Sequence, residues 1–134
     1  MNNFKYSIRN LDNPVLFSEE EGFMNGNMFK NIYSEYKNYS PATLNPKTDQ
    51  EKLLLKLMEA NLASHDINLY LDLYPSDGNM LETFNHYRHL GNDLLNEYEE
   101  KYGPITINSE ALNTSPFLWQ TLIYPWNMEG LNDV

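Results

Sequence analysis

The sequence lacks cysteine, is poor in basic residues and has no long apolar run. Without cysteine, the 134-residue chain can form no disulfide, no thiolate metal site and no thiol nucleophile. Nine lysines and arginines stand against 19 aspartates and glutamates, and the net charge of -10 repels nucleic-acid phosphates and anionic membranes. No stretch approaches the roughly 18 apolar residues that cross a bilayer. These features predict a protein with no nucleic-acid partner and no membrane partner.

The motifs of several enzyme classes and targeting signals are also missing. No serine lies in a GxSxG motif, no glycine loop has nucleotide-binding spacing, and HExxH does not occur. The first residues, MNNFKYSIRNLDNP, contain no apolar core of a signal peptide. We therefore expect a protein that is not an enzyme, binds no cofactor and stays inside a cell compartment.

Two long helices are predicted in the middle of the chain. Thr48 and Glu51 have the spacing of a capping box, and they open a helix over Asp49–Leu73 that ends before Pro75. The segment YPSDG then makes a turn. A second helix follows over 78–102, and the Gly-Pro pair after it is a stop signal. Helices of this length joined by a short turn form an antiparallel hairpin.

The second helix begins and ends at recognisable residues. Ser76 or Asp77 can cap its first turn, and Gly103 and Pro104 can end it. Gly91 lies in the apolar stripe of this helix, where a missing side chain allows another backbone to come close. The stripe consists of Met80, Phe84, Tyr87, Gly91, Leu94, Tyr98 and Tyr102.

The regions outside the hairpin are aromatic and lack sustained periodicity. The chain has ten tyrosines, six phenylalanines and two tryptophans, and aromatic side chains serve both cores and interfaces. A short extra helix is predicted around Asn27–Tyr36. The expected fold is therefore all-α, with an irregular segment over 1–47, the hairpin over 48–104 and an aromatic tail over 105–134 that packs on the hairpin or on a partner.

The first long helix is apolar on two sides, with a polar seam between them. We call the six residues of one side the open stripe: Leu54, Leu55, Met58, Leu62, Leu69 and Leu73. The opposite side consists of Leu53, Leu57, Ala60, Ile67 and Leu71. The polar seam consists of Asn61, His65, Asn68 and Asp72. A helix that is apolar on two sides is covered on two sides, so the second helix should cover one, and the tails or a partner subunit the other.

Two sets of polar residues are candidate metal sites. In the polar seam, His65 and Asp72 lie two helical turns, about 10 Å, apart and cannot share one ion without other ligands. His86 and His89 are one turn apart on the face opposite the apolar stripe of the second helix. Three interpretations stay open at this point: a solvated stripe, an interface, and a metal or acid–base site.

Three segments together resemble the CotJB family of spore coat proteins. They are SHDINLYLDLYPSD, FNHYRHLGNDLLNEYEEKYGPITI and SPFLWQTLIYPW. The matching positions are Asp66, Asn68, Leu69, Tyr70, Leu71, Asp72, Pro75, Tyr98, Glu99, Lys101, Tyr102, Gly103, Pro104, Trp119, Pro125 and Trp126. The N-terminal stretch FSEEEGFMNGNMFKNIYSEY resembles a motif of CotJA coat proteins through Gly26, Met28, Phe29, Tyr33 and Tyr36.

The resemblance implies a non-enzymatic structural component of the endospore coat, synthesised in the mother-cell cytoplasm. It also implies association with a CotJC-like manganese catalase, and it leaves a homo-oligomer open. Aromatic hot spots suit docking, and the expected contact residues are Tyr70, Trp119, Tyr124, Pro125 and Trp126. Two alternatives are a small metal-binding helical protein and a cytoplasmic helical adaptor.

Overall fold

A computed structural model describes residues 13–30, 37–38, 40–41 and 43–121 of the chain. These ranges contain three α-helices and two short 3-10 helices, at Glu110–Leu112 and Leu118–Thr121. The α-helices are α1 (Glu19–Asn25), α2 (Asp49–Leu73) and α3 (Gly78–Tyr102). Within the described ranges the only β-structure is one isolated bridge. The predicted all-α class is confirmed, and both long helices have the predicted bounds.

Helix α2 begins at the predicted capping box. The Glu51 amide donates to the Thr48 hydroxyl at 3.1 Å, and the Glu51 carboxylate accepts from the Thr48 amide at 3.2 Å. The same carboxylate accepts from the Lys47 amide at 2.6 Å. These backbone donors, Lys47 first, lower the pKa of Glu51, so the carboxylate stays ionised at the positive end of the helix.

Asp77, one of the two predicted caps, precedes the first residue of helix α3 and caps it. The Met80 amide donates to Asp77 Oδ1 at 3.0 Å, and the Tyr70 hydroxyl of α2 donates to Asp77 Oδ2 at 2.7 Å. One carboxylate thus caps α3 and ties it to α2, and these bonds lower its pKa. The helix ends as predicted before Gly103, whose φ of 99° lies in the left-handed region.

A short helix that the sequence did not predict, α1, precedes the stretch where a short helix was expected. Ser18 caps α1 by accepting from the Glu21 amide, and three glutamates occupy its first turn. Gly26 ends the helix with a φ of 73°. Residues 27–29, where the sequence predicted a helix, instead contain a bend and the bridge of Phe29 to Leu16. Residues 31–36 of the predicted helix lie outside the described part.

An antiparallel pairing holds the two ends of this N-terminal segment together. The Phe17 amide donates to the Met28 carbonyl at 2.8 Å, and the Lys30 amide donates to the Val15 carbonyl at 2.9 Å. Helix α1 connects the paired stretches. Gly22 of α1 leaves room for Met28, because a Cβ at Gly22 would collide with the Met28 sulfur. The segment therefore folds into one compact piece with Met28 and Phe29 on its inner side.

The core forms where this piece meets α2 and α3. Its buried members are Met28, Phe29, Ala63, Ile67, Tyr70 and Met80, with Leu16, Leu71, Tyr74, Phe84 and Tyr87 packed around them. The Phe29 ring stacks on Tyr70 with centroids 5.5 Å apart. The Met28 amide donates to the Asp66 carboxylate of α2 at 2.8 Å, which satisfies a backbone donor next to a fully buried side chain.

Helix α3 approaches α2 at Gly91, but through a side chain. A Cβ at Gly91 would lie 2.8 Å from the Asn61 side-chain oxygen, and the next nearest atom is the Ala60 Cβ. The sequence predicted that another backbone comes close to Gly91, but the nearest atoms belong to side chains of α2. Gly91 is buried, and its missing side chain leaves room for Asn61, which lies at the border of the α2–α3 contact.

The chain divides into two compact units, Met1–Leu94 and Leu95–Val134. In the second, the Ser109 hydroxyl donates to Glu99 at 2.5 Å, and the rings of Tyr98 and Tyr102 lie 5.2 Å apart. The sequence-based division at 47 and 104 stays a prediction. Among the described helices, none has the length and apolar character that a membrane span needs.

Candidate functional site

Among the residues that the structure describes, the two apolar sides of α2 differ in how well they are covered. The buried apolar residues of α2 are Leu53, Leu57, Ala60, Ala63, Ile67 and Tyr70. On the open stripe, by contrast, Met58 is 46% exposed, Leu69 51% and Leu73 65%. The predicted cover over this second side is thus not made within the described ranges. A row of large apolar side chains on one face of a long helix is the main candidate for a binding surface.

The open stripe leads into a groove beside the start of α2. The groove has a volume of about 470 Å³. It is lined by Phe23 of α1 and by Leu44 and Pro46 of the segment before α2. The stripe contributes Leu54, Leu55 and Met58 to the groove, and Asn45 and Glu51 complete the lining. The groove is therefore apolar along its base, with an ionised carboxylate at its edge.

The polar seam borders the open stripe and is exposed to solvent. Asn61, His65, Asn68 and Asp72 are all exposed, which agrees with the solvated-stripe interpretation. The Ser64 hydroxyl beside the seam donates to the Asn61 carbonyl. The seam follows the edge between the side of α2 that α3 covers and the side that stays open.

The histidines do not assemble a metal centre in the described part of the chain. His86 and His89 are both exposed on α3, and the His86 ring packs against Tyr87 at 5.1 Å. Across the residues that the structure describes, no group of three or more His, Asp or Glu side chains is placed to hold an ion. The two histidine sets therefore remain separate surface features.

Glu59 is a buried carboxylate on α2. Its residue is only 8% exposed, because α1 packs against α2 on this side. Burial raises the pKa of Glu59, and the nearby carboxylates of Glu20 and Glu19 raise it further. The ionised form is therefore disfavoured in the folded chain relative to the unfolded one.

We expect Glu59→Gln to stabilise the protein at neutral pH by about 0.5–1 kcal/mol, the size of a typical favourable substitution. Because the folded pKa is raised, the folded state binds the proton more tightly, and the contribution of Glu59 to stability falls as pH rises through that pKa. The gain from Gln should therefore shrink as the pH is lowered from 7 towards 4. Urea unfolding across this pH range measures it.

Glu82→Gln is the matched control for this change, because Glu82 is exposed on α3. Its effect on the free energy of unfolding should be within about 0.5 kcal/mol of zero, as for most surface substitutions. Equal effects of the two substitutions at every pH would contradict the role of burial at Glu59.

The predicted contact residues have different surroundings. Tyr70 lies in the core, between the rings of Phe29 and Tyr74. Trp119 is half-buried in the 3-10 helix Leu118–Thr121. Tyr124, Pro125 and Trp126 lie outside the described residues. Partner binding by these five remains a prediction, and Tyr70 lies in the core and not on the open stripe.

Sequence reasoning missed how the N-terminal segment engages α2. The hydrogen bond from Met28 to Asp66 and the stacking of Phe29 on Tyr70 join residues about 40 positions apart, and no local pattern signals such contacts. The resemblance of the stretch around Gly26 to CotJA does not indicate where its side chains pack. The helical spacing of the sequence predicted the apolar character of the open stripe. It did not predict that Met58, Leu69 and Leu73 are exposed.

Comparison with known proteins identifies the family to which the hairpin belongs. The family described as CotJB protein matches residues 51–127, which is more than half of the chain and includes most of α2, all of α3 and the segment after it. No curated protein and no solved structure matches the chain. CotJB is a structural and assembly family of the spore coat, not a known enzyme family. The chain therefore belongs to the CotJB family of spore coat proteins.

Proposed function

We propose that the protein is an assembly component of the endospore coat that acts by docking to other coat proteins, among them a manganese-catalase-like protein. Family membership over residues 51–127 is the observation that carries this proposal. The protein is synthesised in the mother-cell cytoplasm and joins the coat as a structural component. Any metal chemistry in the assembly belongs to the catalase-like partner.

The second compact unit has surface suited to docking. Ile107 and Phe117 are exposed although both are large and apolar. Trp119 follows two residues after Phe117, and the sequence continues into Tyr124, Pro125 and Trp126. Aromatic residues contribute much of the binding energy at protein interfaces because they bury large areas at a small cost in conformational entropy. These residues are the proposed contacts to the catalase-like partner.

The N-terminal segment acts together with the hairpin in this proposal. Its CotJA-like motif includes Met28 and Phe29, and both side chains are buried against α2. Packing of the motif into the hairpin core supports a chain in which two coat functions are joined. The N-terminal segment then supplies part of the folded platform instead of binding as a separate subunit.

The test is recovery of coat proteins with the tagged full-length chain from sporulating cells. We expect the manganese-catalase-like protein to be recovered with the wild type and lost with the triple variant Trp119→Ala, Tyr124→Ala, Trp126→Ala. Gln120→Ala is the matched control, since Gln120 is an exposed neighbour of Trp119. Circular dichroism should show the same helix content in all three proteins.

Two results would contradict the proposal. Undiminished recovery of the catalase-like protein with the triple variant would remove these aromatics from the interface. Absence of the tagged wild type from the coat fraction of purified spores would remove the assembly role altogether.

A further inference from the structure

We propose that the open stripe of α2 is the docking site for an amphipathic helix of a partner protein, with apolar side chains at heptad spacing and lysine or arginine on its flanks. This inference rests on the proposed function, in that it takes the occupant to be another coat protein. It concerns a surface of the first compact unit, whereas the aromatic residues after position 116 belong to the second.

The stripe has the spacing of a helix-packing seam. Leu55, Met58 and Leu62 are separated by three and four residues, and Leu69 and Leu73 continue the same face. His65 of the polar seam occupies the intervening position. Alternating steps of three and four are the pattern with which one helix packs along another. From Leu55 to Leu73 the surface extends about 27 Å at 1.5 Å per residue, which fits an ordinary helix and is long for a loop contact.

The groove gives one end of the stripe a shaped receptor. Phe23 and Leu44 line it together with Leu54 and Met58, and its volume is about 470 Å³. A large apolar side chain of the partner can enter this space and lose its contact with water there. The stripe beyond the groove then guides the rest of the helix. This arrangement corresponds to recognition of a helix in a groove.

The carboxylates near the stripe are only partly balanced by lysine. Asp66 is half-buried and Glu59 is buried under α1, while Lys52 lies 3.8 Å from Asp49 and Lys56 is exposed near the start of α2. Asp72 is exposed at the C-terminal end of the stripe, and Glu51 lies at the groove. Hydrogen bonds from backbone amides keep Glu51 ionised. Lysine and arginine on the partner's flanks complement this field and speed association.

The same charge disfavours a second copy as the occupant. The whole chain carries a net charge of -10, so two copies repel each other. A basic amphipathic helix from another protein meets the apolar and the electrostatic requirement together.

The experiment measures binding of two synthetic three-heptad helices to the full-length protein by fluorescence anisotropy. Both peptides carry leucine at the heptad positions; one has lysine on its flanks and the other glutamate. We compare the wild type with the double variant Met58→Gln, Leu69→Gln, and with Val15→Gln as the matched control. Val15 is 51% exposed, as is Leu69, but lies away from the stripe beside Met80 and Thr83.

We expect the wild type and Val15→Gln to bind the lysine peptide equally and to bind the glutamate peptide much more weakly. The double variant should bind the lysine peptide roughly tenfold or more weakly, since each lost apolar contact reduces affinity several-fold. Because glutamine leaves the net charge unchanged, this loss separates apolar docking from general attraction between basic peptides and an acidic protein.

Two outcomes would overturn the inference. Equal binding of the lysine peptide by the wild type and the double variant would show that attraction is by charge alone. A wild type that sediments as a dimer, with a monomeric double variant, would assign the stripe to a second copy. Neither result changes the expected recovery of the catalase-like protein, which depends on Trp119, Tyr124 and Trp126. A failure of the peptide-binding test is therefore distinct from a failure of the proposed function.

Discussion

Replacing Phe29 with alanine is expected to lower the free energy of unfolding by about 3–5 kcal/mol, the range for a large aromatic removed from a core. Phe29 is buried, stacks on Tyr70 and lies in the paired segment opposite Leu16. The substitution leaves a cavity at the junction between the N-terminal segment and α2. Urea unfolding followed by circular dichroism measures the loss, with limited proteolysis reporting whether the N-terminal segment detaches first.

Val15→Ala is the control for Phe29→Ala. Val15 belongs to the same paired segment, in which its backbone carbonyl accepts from the Lys30 amide, but its side chain is half exposed. We expect a change well below that of Phe29→Ala, because a small exposed side chain is removed. A Phe29→Ala variant within about 0.5 kcal/mol of the wild type would show that the N-terminal segment contributes little to the folded unit.

Ile67→Ala is expected to lower the free energy of unfolding by about 2–5 kcal/mol, the range for a fully buried aliphatic side chain. Ile67 has no exposed surface and belongs to the core cluster where the N-terminal segment, α2 and α3 meet. For a domain whose total stability is of order 5–15 kcal/mol, such a loss is a large fraction. The measurement is urea unfolding with the slope checked against the wild type.

The neighbouring residue supplies the control for Ile67→Ala. Asn68 is one position further along α2 but points to solvent in the polar seam. Asn68→Ala should be neutral or slightly stabilising, since alanine has the higher helix propensity. If Asn68→Ala proved as damaging as Ile67→Ala, the assignment of these two faces of α2 to core and solvent would be wrong.

The joining of the N-terminal segment to the hairpin explains why α2 carries apolar residues on so much of its surface. One part of α2 packs against α3, and another part receives Met28 and Phe29. Asp66 accepts a hydrogen bond from the Met28 amide, so a polar position between the apolar sides has a structural role. Among the described residues, the open stripe is the apolar part of α2 that these two contacts leave exposed, and we therefore propose it as the docking site for a partner helix.

The sequence by itself determined the bounds of α2 and α3, the charge and the family. These follow from local chemistry: the capping box of Thr48 and Glu51 closes within one helical turn, and Gly103 can adopt the positive φ at which α3 ends. Family membership likewise depends on the order of residues along the hairpin. None of these features needs contact with a distant part of the chain.

Only the tertiary structure decided which face of α2 is covered. The open stripe and the buried side are both apolar, and helical periodicity alone does not distinguish them. The choice depends on contacts over long sequence separations, such as Met28 with Asp66, whose net free energy is set by packing and desolvation at the meeting point. The same contacts bury Glu59 and expose Leu69, because the N-terminal segment packs on one side of the helix and leaves the other open.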